Sequence, residues 1–163
     1  MATVEVTFTP LPVHVRTARL VATAVARRSG VAESLLDEVR LAVGEACSRA
    51  VEAHQRHCPE QPIRVSLTDD GEQFQVVVTD AVPGSGHDLP AGFSLPAGTG
   101  ADGGNGAALG VGFAGPSGGP VPVRLPEDVG LAVIAGLADD VRIASAAQGT
   151  SVTMIWKRRT AAF

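Results

Sequence analysis

Three short segments of this 163-residue chain carry the residue types from which chemistry could be built. The first, Leu41 to Val51, sets Glu45 and Arg49 four positions apart, so a carboxylate and a guanidinium share one face of a helix. The second, Val76-Val77-Val78-Thr79-Asp80, is an apolar run that ends in a carboxylate, with Gly84 four residues on. The third joins Gly130-Leu131-Ala132-Val133-Ile134 to Ala138-Asp139-Asp140-Val141 and then to Gly149-Thr150. Each segment also has a plain structural account. Glu45 and Arg49 make an ordinary ion pair on a solvated face, worth roughly 0.3 to 0.5 kcal/mol, and Glu52 and Arg56 repeat the spacing. Asp80 suits a turn at a strand end, and a glycine before a β-branched residue is common where a strand begins.

The elements that must position these residues follow from periodicity. Val4, Val6 and Phe8 alternate with Glu5 and Thr7, which predicts a strand closed by Pro10 and Pro12. A helical period runs from Val13 to Ser29 with Gly30 as its C-cap, and a second from Ala32–Ser34 to about Gln55, where Leu36, Val39, Val43, Ala46, Cys47 and Ala50 form one apolar stripe. Ile63-x-Val65-x-Leu67 and Phe74-x-Val76-x-Val78 are alternating strands joined at Asp69-Asp70-Gly71, hence antiparallel neighbours. Pro126-Glu127-Asp128 opens a third helix to about Ala138, and strands follow around Val141–Ile143 and Thr150–Lys157. The order β-α-α-β-β-insert-α-β-β predicts one α/β domain over residues 1–163. It is a two-layer sandwich, a mixed, mostly antiparallel sheet covered on one face by three helices.

The insert, residues 81–126, holds the compositional oddity. Thirteen of the 19 glycines and seven of the 11 prolines lie between Pro83 and Pro126, and this nearly uncharged stretch is expected to be flexible. Elsewhere the composition excludes more than it selects. A net charge of −4 lacks the basic face that nucleic-acid binding needs, and Lys157-Arg158-Arg159 reads as a solvated strand end. No apolar run is long enough to span a bilayer, so a cytoplasmic protein without a membrane partner is expected. Cys47 and Cys58 lack zinc-site spacing, His14, His54, His57 and His87 form no ligand pair, and no metal site is expected. Cys47 reads as a small buried side chain.

In order and spacing the three segments together resemble the GHKL-type ATP-binding fold, and within it the anti-sigma-factor serine kinases. The resemblance covers nearly all of the chain outside the insert, and it implies that residues 81–126 take the position of the family's ATP lid. It implies a dimer that sequesters an RNA polymerase sigma factor, a STAS-domain anti-anti-sigma partner that competes for it, and in active members phosphorylation of a serine of that partner by ATP. By the same resemblance Glu45 takes the general-base position. Arg49, Asp80, Gly84, Gly130, Leu131 and Thr150 take nucleotide positions, with Asp80 accepting from the adenine amino group. Arg19 of the first helix matches the family arginine that touches both partners. Arg16, three residues before it on the same helix face, joins it as a partner-binding candidate, although two arginines so spaced are also ordinary exposed charge.

Three departures from the family pattern bear on the chemistry. Where the family has an Mg²⁺-holding asparagine four residues after the glutamate, this chain has Arg49, a donor-only cation that cannot ligate a metal. The glycine two residues after Asp80 is Val82, and Pro83 removes a backbone donor. In Gly-x-Gly-Leu the first glycine is Asp128, an acid at a helix start where phosphates would sit. The reading that results is an anti-sigma factor with impaired phosphotransfer. An active serine kinase stands as its rival, and a sensor of another nucleotide, such as a cyclic dinucleotide held by Arg49, as a third possibility.

Overall fold

A computed structural model of the chain describes residues 1–83, 93–95 and 127–158. The elements are β1 (Ala2–Phe8), α1 (Pro12–Arg28), a 3₁₀ turn (Glu33–Leu35), α2 (Leu36–His57), β2 (Ile63–Asp69), β3 (Gln73–Thr79), β4 (Phe93–Leu95), α3 (Glu127–Leu137), β5 (Asp140–Ala146) and β6 (Gly149–Lys157). The strands form one sheet in the order β1-β2-β3-β6-β5-β4, and every pairing is antiparallel. The α/β sandwich with three helices is therefore present. Two differences from the sequence reading concern its edges. β4 adds a three-residue strand inside the glycine-proline segment, pairing with Val141–Ile143 of β5. The rest of that segment, including Gly84, lies outside the described residues. The second helix begins as a tighter turn, so its α-helical part starts at Leu36.

Alternation in the strands and the 3.6-residue stripe of the helices meet in one core. Ile63, Val65 and Leu67 of β2 and Phe74, Val76 and Val78 of β3 are buried, as are Ala18, Ala22 and Ala26 of α1 and Val39, Val43, Ala46, Cys47 and Ala50 of α2. The small residues of α1 let it lie close on α2, and Gly44 marks the tightest point. A Cβ there would run into the Arg19 guanidinium, which lies across α2. Trp156 closes the other end, its indole Nε1 donating to the Leu137 carbonyl at 2.9 Å.

The turn between β2 and β3 is held by its own acids. Asp69 accepts from the Gly71 amide, and Asp70 from the amides of Glu72 and Gln73. These bonds hold the Asp70 carboxyl below the usual carboxylate range, first through Gln73 and then Glu72; for Asp69 the Gly71 amide and then Arg158 do the same. Both carboxyls titrate lower in the fold than in the unfolded chain. The stability they lend is present above the unfolded value and fades as pH falls through the folded one. Asp70→Asn is expected to lower the neutral plateau of a melting-temperature profile and to flatten its acid limb below about pH 4, so that the variant and the parent converge at low pH.

The basic C-terminal cluster is not simply solvated. Lys157 is exposed, but Arg158 pairs with Asp69 at 2.8 Å, and its amide donates to the Glu72 carbonyl. The last strand ends beside the β2–β3 turn, which supplies the partners.

Candidate functional site

α2 supplies the floor of the site, with β3, β5, β6 and α3 around it. A small cavity of about 30 Å³, room for about two water molecules, is lined by Ala46, Arg49, Ala50, Ala53, Val78, Asp80, Leu131, Ile143, Thr150 and Val152. Four of the residues singled out from the sequence thus meet at one place: Arg49, Asp80, Leu131 and Thr150. Glu45 and Gly130 adjoin them, because a Cβ built on Gly130 would stand 2.5 Å from Glu45 Oε1 and 3.1 Å from Arg49 Cδ. Arg16 and Arg19 lie apart from this cavity, on α1.

Asp80 is held by backbone. Its Oδ1 accepts from the Val82 amide at 2.9 Å and the Thr150 amide at 3.3 Å, and its own amide donates to the Thr150 carbonyl at 2.9 Å. The strand-end turn is present, and it fixes a carboxylate that lines the cavity. Val82, standing where the resemblance expects glycine, is buried at 4% exposure beside it. Gly149 permits the approach: at φ +140° its backbone lies so close to the Asp80 carbonyl that a Cβ would collide with it.

Beneath Asp80 lies a residue that the sequence reading set aside. His54 is fully buried, with Nδ1 2.8 Å from the Gln61 carbonyl and Nε2 accepting from the Ala81 amide at 2.9 Å. A carbonyl on one ring nitrogen and an amide on the other assign the proton to Nδ1. The signal was available in the α2 stripe, since His54 follows Cys47, Ala50 and Val51 at helical spacing.

The Glu45–Arg49 pair differs from the surface ion pair its spacing suggests. Both residues are half-buried, and no ion pair joins them among the described residues. Glu45 instead lies against the first turn of α3 at Gly130, where the helix dipole favours a carboxylate. Arg49 borders the cavity. The sequence reading gave the role of filling this helix start to Asp128, whose side chain lies outside the described residues.

These positions decide how well an Mg²⁺-triphosphate fits. A cation needs oxygen donors beside Glu45, and the neighbour four residues on is a guanidinium with no lone pair to give. The helix start that would cradle phosphates has the protein's own carboxylate against it. The residues present do not fit the metal end of such a ligand. The opposite end retains a fixed carboxylate, Asp80, between apolar walls of Val78, Leu131, Ile143 and Val152.

On α1, Arg16 is exposed while Arg19 is half-buried, its Nε without a hydrogen-bond partner among the described residues. The two arginines therefore do not present the single exposed face that their spacing suggests; Arg19 turns onto Gly44 because glycine leaves room there. Cys47 lies under the same crossing. Its thiol is pushed up to about 12 by burial, with the Arg19 charge pulling the other way, so it is an inert core group.

No helix among the described residues is long and apolar enough to cross a membrane. No curated protein matches the sequence. A family model, the histidine kinase-like ATPase domain, matches residues 8–156, a span that takes in the residues lining the cavity, α1, α2 and α3, strands β2 to β5 and all but the last residue of β6, and that meets β1 only at Phe8. The antiparallel sheet, the three helices and the cavity between α2 and α3 agree with that match, and the chain belongs to the histidine kinase-like ATPase domain family.

Proposed function

We propose that this protein is an anti-sigma factor: it binds and sequesters an RNA polymerase sigma factor, a STAS-domain antagonist competes for it, and phosphotransfer to that antagonist is lost or strongly impaired. The observation that carries the reading is the replacement of the metal-holding position by Arg49 at the cavity wall, with Glu45 laid against the first turn of α3. The scaffold is kept and the cation end of the site is not. A domain that retains its fold without the donors for Mg²⁺ serves as a binding surface, and α1 offers one, with Arg16 among exposed Val13 and Leu20. A basic side chain set among exposed apolar groups is the usual make-up of a contact patch.

The test uses the purified chain with its STAS partner, Mg²⁺ and labelled ATP, alongside a sigma-factor binding titration. Expected are no serine phosphorylation above background and stoichiometric sigma binding that weakens about tenfold or more in Arg16→Glu. Stoichiometric phosphate transfer would overturn the impaired-kinase part. Absence of sigma binding would overturn the whole.

A further inference from the structure

Gly44 stands inside α2, a 22-residue helix, although glycine is the poorest helix former after proline. Packing supplies the reason for it. The three atoms nearest to where its Cβ would stand all belong to the Arg19 side chain, with Cζ at 2.8 Å, Nη2 at 2.9 Å and Nε closer still. An alanine there evicts the guanidinium. The group held in this way is short of partners. Its Nε is buried, and no hydrogen bond or ion pair engages the Arg19 side chain among the described residues. Only Nε is both buried and unpartnered, so the Nη atoms reach solvent. The counter-charge is missing as well. α1 contains no acidic residue, and on α2 Asp37 pairs with Arg40 while Glu45 lies against Gly130.

We propose that Gly44 is a positioning residue for the partner surface: it is the seat that holds the Arg19 guanidinium against α2, so that its remaining N–H groups meet a carboxylate of the bound partner. The inference rests on the anti-sigma reading for who that partner is. An arginine free in solvent gives up rotamer freedom when a carboxylate captures it, whereas a seated one has given it up on folding. Charge adds to this effect. A half-buried cation with no counter-ion in its own chain has already lost part of its water, and a partner's carboxylate meets it at low local dielectric. Arg16, three residues earlier, is exposed and has no such seat. The two arginines therefore act at different stages. Arg16 attracts the partner from a distance and governs association, while Arg19 on its seat holds it and governs dissociation.

Nitrogen-15 NMR of the full chain tests the seat with no partner present. The Arg19 Nε–H signal, identified by its loss in Arg19→Lys, is expected to exchange slowly with water and about tenfold faster in Gly44→Ala. Equal exchange in the two overturns the seat. In an Arg19→Ala background, Gly44→Ala raises the melting temperature, because alanine then replaces glycine in a helix interior with the seat empty. A fall there overturns the seat too, since another group would then fill position 44. In a sigma-factor titration, Gly44→Ala and Arg19→Ala each weaken binding about tenfold through faster dissociation, and the double variant stays within about threefold of either. Losses that add, or a Gly44→Ala chain that binds like the parent, overturn the positioning role and leave the anti-sigma reading standing. A parent chain that binds no sigma factor overturns that reading and this inference with it, whatever the exchange rates show.

Discussion

Gly149→Ala is expected to destabilise the protein by about 3 kcal/mol or more, because the backbone there adopts φ +140° and a Cβ would collide with the Asp80 carbonyl. Neither side can yield cheaply. Gly149 opens β6, and Asp80 is pinned by the Val82 and Thr150 amides. Gly71 provides the control. It also has positive φ, +91°, but open space surrounds its missing Cβ, so Gly71→Ala should cost only about 1 kcal/mol. Chemical denaturation of the two variants separates backbone conformation from the contact with Asp80. Equal losses would mean that the close approach at residue 149 contributes nothing.

His54→Ala is expected to lose about 3–5 kcal/mol. It opens a cavity in the core and strips partners from two buried backbone groups, the Gln61 carbonyl and the Ala81 amide. His54→Asn, which keeps a donor in the place of Nδ1, should recover part of this by holding Gln61 while leaving Ala81 unpaired. Hydrogen exchange at Ala81 distinguishes the two contributions. Its amide should exchange faster in both variants, and a protected Ala81 amide in either would show that the histidine is not its anchor.

Most of the architecture was legible in the chain. Alternation at Ile63–Leu67 and Phe74–Val78, the Asp-Asp-Gly turn and the α2 stripe each reflect rules that act within a few residues, and the hairpin and helices follow them. The site was legible in part. Arg49, Asp80, Leu131 and Thr150 do meet, because the family pattern encodes distances that no local rule contains. What escaped were contacts made by chain closure: Glu45 against Gly130, Arg158 with Asp69, and His54 under Ala81 join segments 85, 89 and 27 residues apart. A side chain's default partner in sequence is the one four residues away. Here tertiary packing offered Glu45 a helix start and Arg19 the groove over a glycine.

The indole of Trp156 makes the molecule its own spectroscopic instrument. The sequence has one tryptophan and no tyrosine, and that indole is buried and tied to the last carbonyl of α3. Ultraviolet emission from this chain therefore comes from a single lamp fixed at the far end of the helix whose first turn meets Glu45. Any ligand or partner that shifts α3 against the sheet must disturb that bond and recolour the emission. Occupancy of the cavity can thus be followed in solution without a label.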